Sequence, residues 1–188
     1  IVRRLWRGEA VAFPDGTGKE VATSILPRPI QADLPIWVTV AGNPETFAEA
    51  GRAGANVLTH LLGQSLEELT EKVAVYRRAR AEAGHAGPGS VVLMLHTLVG
   101  DDVESVRELA REPMKHYLRT AVGLIRDAAW SFPTFKQQTT QSDGSFELDR
   151  LSPEDLDIVL DHAFARYFET SGLFGDLDSA WRMLEQVV

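Results

Sequence analysis

The chain of 188 residues has no cysteine, which rules out disulfides and thiolate metal sites and leads us to expect a reducing, cytoplasmic setting. Positive charge is scarce. Nineteen Lys and Arg stand against 27 Asp and Glu, and the formal net charge of −8 argues against a nucleic-acid or polyphosphate partner. One anionic group held by a few local donors remains compatible with that balance. Long apolar runs are also missing. None approaches the ~20 residues of a membrane span, so no membrane partner is expected, and "IVRRLWRGEAV" does not read as a signal peptide. No HExxH or His-x-His spacing suggests a metal, and no G-x-S-x-G elbow suggests a serine hydrolase.

What is present is an alternation of strands and helices. Residues 9–13 and 20–25 flank Pro14-Asp15-Gly16-Thr17-Gly18, whose Asp-Gly pair predicts a hairpin. Prolines keep 27–35 extended. Strand 35–40 then feeds a helix over 44–53 closed by Gly54. Strand 56–62 leads to Ser65 and Glu68, spaced as a capping box, and to a helix ended by Gly84. The run 91–99, VVLMLHTLV, reads as one buried parallel strand, with Gly100-Asp101 opening the next helix, which continues to about Ala129. Residues 130–150 are polar and aperiodic. Helix restarts at Ser152-Pro153, with Leu156, Val159, Leu160, Ala163 and Phe164 on one side. Gly172 and Gly175 break it, and a last helix runs from about Asp178.

Such alternation predicts an α/β fold with a parallel sheet, either part of a β/α barrel or half of a doubly wound sheet. In both, ligands gather at the carboxyl ends of the strands. That rule selects 41–46, 59–64 and 96–100. The first corner offers Gly42 for close approach, Asn43 and Thr46 as donors and a helix N-terminus suited to phosphate. Asn43 can equally be an ordinary cap for its own helix. In the second, alternation sets Thr59 and Leu61 on one face and His60 on the other. His60 and His96 either point into a site, as hydrogen-bonding or proton-shuttling groups, or pack beneath the helices.

The block "LPIWVTVAGNPETFAEAGRAGANVLTHLLGQSLEELTEKVAVYRRARAEAGH", with "VVLMLHTLVGDD", "LWRGEAV", "PRPIQ" and "HAFARYFETSGLFG", resembles the luciferase-like flavin monooxygenases. More closely it resembles their MupA/Atu3671 branch, associated with polyketide and nonribosomal peptide synthetases. The resemblance implies a partial (β/α)8 TIM barrel across residues 1–188. Its strands here would be the fifth to seventh, the first four preceding Ile1 and the eighth following Val188. A start at Ile1 rather than Met fits that expectation, from which we expect this chain alone to bind FMN weakly or not at all and to show little activity.

The same resemblance implies reduced FMN as cofactor and O2 as co-substrate, for oxygenation of a natural-product biosynthetic intermediate. Ala41, Gly42, Asn43 and Thr46 would then meet the FMN phosphate, with Thr59 and Leu61 near the flavin. His60 and His96 would be the catalytic candidates, and 130–150 a mobile loop over the site. Implied partners are a small-molecule or carrier-protein-tethered substrate and a flavin reductase, and a homodimer is compatible. The alternatives are a deazaflavin-dependent oxidoreductase on the same fold and a non-catalytic barrel subunit.

Overall fold

The computed structural model describes residues 1–120 and 152–187, in two compact units, Ile1–Val38 and Thr39–Val188. The segment 130–150 and the helical extension from 121 to 129 lie outside the described residues.

In the first unit, helix α1 (Val2–Trp6) precedes the antiparallel pair β1 (Val11–Pro14) and β2 (Glu20–Thr23), in the register Val11↔Thr23 to Pro14↔Glu20. The turn is built on Asp15. Its Oδ1 accepts from the Thr17 hydroxyl, the Thr17 amide and the Lys19 amide, and those bonds hold its carboxyl below the usual carboxylate value. Outside the hairpin, the Trp6 indole N–H donates to the carbonyl of Gln31 at 2.9 Å.

Strand β3 (Trp37–Thr39) carries the chain into the second unit, where the sheet order is β3, β4 (Asn56–His60), β5 (Val91–Met94). The Val40 amide donates to the Leu58 carbonyl at 3.0 Å, and β4 and β5 are parallel from Val57↔Val91 to His60↔Met94. Helix α2 (Pro44–Arg52) is capped by Asn43, and α3 (Leu66–Glu82) by the expected capping box. Ser65 Oγ accepts from the Glu68 amide at 3.2 Å, and Glu68 Oε2 accepts from the Ser65 amide at 3.0 Å. Gly51 lets the two helices touch, because a Cβ there would clash with the Tyr76 carbonyl oxygen and lie 3.2 Å from the Ala79 Cβ.

Two expectations change here. The run 91–99 is two strands, not one: β5 stops at Met94, and β6 (Thr97–Val99) belongs to a second parallel sheet. Its partner is β7 (Leu173–Gly175), a strand where the glycines were expected only to break a helix. The His96 carbonyl accepts from the Leu173 amide at 2.9 Å and opens that pairing. A small gap between β5 and β6 thus redirects the chain without interrupting the apolar pattern.

Helices α4 (Val103–Thr120), α5 (Pro153–Thr170) and α6 (Leu177–Val187) complete the unit. Asp102, one residue later than expected, caps α4 by accepting from the Ser105 amide at 2.8 Å. Ser152 Oγ caps α5 through the Asp155 amide. The apolar stripe read along α5 is buried, with Val159, Leu160, Ala163 and Phe164 packing against Leu118 of α4 and Phe174 of β7. Burying each of the larger side chains contributes about 1.5–3 kcal/mol. No helix among the described residues is long and apolar enough to cross a membrane.

Candidate functional site

The first corner, after β3, is sparser in donors than its sequence suggests. Asn43 Oδ1 accepts from the Glu45 amide at 2.9 Å, so its carbonyl serves its own helix. Pro44 at the first helical position has no N–H to offer. What remains on this chain are the backbone of Gly42 and Asn43, the Asn43 side-chain NH2, and the half-buried Thr46 with its amide and hydroxyl. Ala41 is half-buried beside them. A Cβ at Gly42 would meet no atom within 4 Å, so the flank of the corner is open. The neighbouring cavity, about 350 Å³, is lined by Gly42, Pro44, Glu68, Glu71, Lys72 and Val75. Its single cation is Lys72.

The second corner, after β4, is organised by Gln64, which the sequence placed in this corner without a role. Its Nε2 donates to the His60 carbonyl at 2.6 Å and to Thr59 Oγ1 at 3.2 Å, and its Oε1 accepts from Lys72 Nζ at 2.8 Å. This buried amide ties the strand end to the cation beside the first corner. Thr59 and Leu61 are buried on one face, with the Thr59 hydroxyl held by Gln64. They shape the strand end rather than present polar groups. His60 lies on the opposite face in register with Met94, and its Nδ1 accepts from the Leu62 amide at 3.2 Å. A larger cavity of about 640 Å³ borders this corner and is lined by Gly63, Gln64, Ser65, Arg166, Thr170 and Ser171 among others. The capping box already occupies the Ser65 and Glu68 amides there.

His96, between β5 and β6, sits in an aromatic clasp. Its Nδ1 shares a 2.8 Å hydrogen bond with the Tyr167 hydroxyl, and the Tyr117 ring meets it edge-on at 4.7 Å between centroids. Burial, and secondly the nearby His60, push the His96 imidazole below its ordinary 6.5. Burial, and secondly Tyr117, push the Tyr167 phenol up to about 12. The structure therefore brings His60 and His96 into one neighbourhood of hydrogen-bonding rings. The amphipathic pattern of α5 signals that Tyr167 is buried, but no local signal names its partner 71 residues away. Among the described residues, no three acidic or histidine side chains gather as a metal would need.

The luciferase-like monooxygenase family matches residues 1–156. The chain belongs to that family. Among the solved structures that share the fold are two monooxygenases. The monooxygenase RslO1 from Streptomyces bottropensis is 21% identical, with a TM-score of 0.58, covering 99% of this chain and 47% of its own. The second is the oxygenating constituent of 3,6-diketocamphane monooxygenase from the CAM plasmid of Pseudomonas putida, a type II Baeyer-Villiger monooxygenase in complex with FMN. It is 16% identical, with a TM-score of 0.58, covering 100% of this chain and 51% of its own. The chain thus spans about half the length of these structures. No curated protein matches it. The fold is accordingly that of a partial luciferase-like barrel with parallel strands, as the sequence led us to expect.

Proposed function

We propose that the chain forms one side of the flavin and substrate site of a monooxygenase that uses reduced FMN and O2. The observation that carries this reading is the family match over residues 1–156. The open flank of Gly42 and the unspent donors at Thr46, at the start of a nine-residue helix, fit one edge of a phosphate. On this reading Gly42, Asn43 and Thr46 hold the phosphate through backbone N–H groups and the Thr46 hydroxyl, with Ala41 alongside. Reduced FMN, when bound, supplies the electrons for the reaction with O2, so the protein's task is binding, orientation and exclusion of water. Thr59, Leu61 and Gln64 fix the strand end that aims His60 at the substrate side, and His96 stands beside it. A flavin reductase supplies the reduced cofactor. We assign β7 the eighth strand position of the barrel, inside the chain rather than beyond Val188, because it lies parallel to β6 and is followed by an amphipathic helix.

The substrate class we propose is a natural-product biosynthetic intermediate, free or tethered to a carrier protein. Its support is the likeness of residues 34–85 and 91–102 to the synthetase-associated branch. The test supplies the protein that carries this chain within a complete barrel with chemically reduced FMN, O2 and a panel of polyketide and peptidyl thioesters, and follows O2 uptake and product mass. A product heavier by one oxygen atom is expected. Oxygen uptake without an oxygenated product, or turnover only with reduced deazaflavin, contradicts the proposal.

The Glu45 N–H spent on Asn43 Oδ1 and the missing N–H of Pro44 favour a second reading, a barrel subunit that supports a catalytic partner. Unchanged turnover after alanine replacement of His60 and Asn43 would select it.

A further inference from the structure

Three elements meet around His96. Tyr117 of α4 lies against its edge, Tyr167 of α5 bonds its Nδ1, and His60 at the end of β4 is near enough to oppose its protonation. A neutral imidazole has one donor nitrogen and one acceptor nitrogen, so the partner of Nδ1 decides what Nε2 can do. At His60 the matter is settled by a backbone N–H, which can only donate: Leu62 gives its proton to Nδ1, and the neutral ring carries its own proton on Nε2. At His96 the partner is a phenol, which can donate or accept. A phenol O–H is the stronger donor of the two groups, and an imidazole nitrogen the stronger acceptor. The buried Tyr167 also holds its proton to about pH 12.

We propose that Tyr167 is a positioning residue acting through His96: its O–H donates to Nδ1, so that His96, like His60, keeps its proton on Nε2 and offers that N–H to an oxygen of the ligand. Among the described residues neither Nε2 has a hydrogen-bond partner. The two corners thus hold a matched pair of N–H donors at the ends of consecutive strand segments. A carbonyl or similar acceptor oxygen is the group such a pair recognises, and a cationic ligand is disfavoured. The inference rests on the reading of these corners as the ligand side of the proposed monooxygenase.

The test is proton–nitrogen correlation spectroscopy of the imidazoles in the nitrogen-15-labelled chain, with His96 assigned by the signal lost in His96→Gln. The expected wild-type pattern is an unprotonated, hydrogen-bonded Nδ1 and a protonated Nε2. In Tyr167→Phe the Nδ1 resonance moves toward that of a free unprotonated nitrogen, whereas Tyr117→Phe, which keeps the edge contact, leaves it in place. A wild-type His96 protonated on Nδ1 overturns the proposal, as does an Nδ1 resonance unmoved in Tyr167→Phe. Should Tyr167→Phe fail to fold, the wild-type spectrum alone decides, because it reports which group donates. No flavin enters these spectra, so a failure of the proposed reaction leaves their outcome standing.

Discussion

The Tyr76 hydroxyl donates to the Ala55 carbonyl at 2.9 Å, joining the middle of α3 to the residue just before β4. Tyr76 is fully buried, and its own carbonyl oxygen faces Gly51 of α2. One residue therefore fixes both the helix pair and the strand that carries His60.

Gly51→Ala is expected to destabilise the chain by about 1–3 kcal/mol, because backbone on α3 cannot give way to the added methyl as a flexible side chain would. Tyr76→Phe removes one buried hydrogen bond and should cost about 1–2 kcal/mol. Urea denaturation, with midpoints compared at equal slope, measures both. A neutral Gly51→Ala would mean that α2 and α3 do not pack this closely.

Alkaline stability should depend on Lys115. Its nearly buried ammonium reaches Asp157 at 2.6 Å and Asp161 at 3.1 Å. Burial opposes the charge, but the two carboxylates outweigh it, and the group is raised above its ordinary 10.5. The folded state then binds the proton more tightly than the unfolded chain. The stabilisation is complete below about pH 10.5 and is lost as pH climbs through the folded value. Melting temperature followed from pH 8 to 12 should show this loss in the wild type and a smaller one in Lys115→Met.

At the first corner, capping and ligand binding can be separated. Asn43→Ala removes the acceptor for the Glu45 amide and should cost about 1 kcal/mol, whereas Asn43→Ser keeps a capping oxygen and should cost little. Thermal denaturation of both variants checks the ranking. Equal losses would show that Asn43 does more than cap.

Local chemistry was legible in the sequence where neighbours in the chain do the work. Asp15 in its turn, the Ser65 and Glu68 capping box and the buried stripe from Val159 to Phe164 all follow from spacings of a few residues. The break between Met94 and Thr97 was hidden, because Leu95 continues the apolar run and no glycine or proline marks where the backbone leaves the sheet. β7 was missed for the opposite reason: three residues bounded by glycine look like a turn until β6 is there to pair with them. At the site, the two faces of β4 were readable from alternation. The Gln64 brace and the Tyr167 bond were not, since each depends on where other elements bring a polar group. The His85 bond to the Arg52 carbonyl at 2.9 Å is likewise set by the fold, joining residues 33 apart in the chain.

The central claim is that the corner at Gly42 to Thr46 receives the phosphate of FMN. It is tested most directly by titrating the nitrogen-15-labelled chain with FMN and, separately, with riboflavin, which lacks the phosphate, while following backbone amide shifts. The account predicts weak binding, with the Gly42, Asn43 and Thr46 amides shifting in FMN and staying in place in riboflavin. Amides at this corner that ignore FMN, or respond equally to riboflavin, would contradict it.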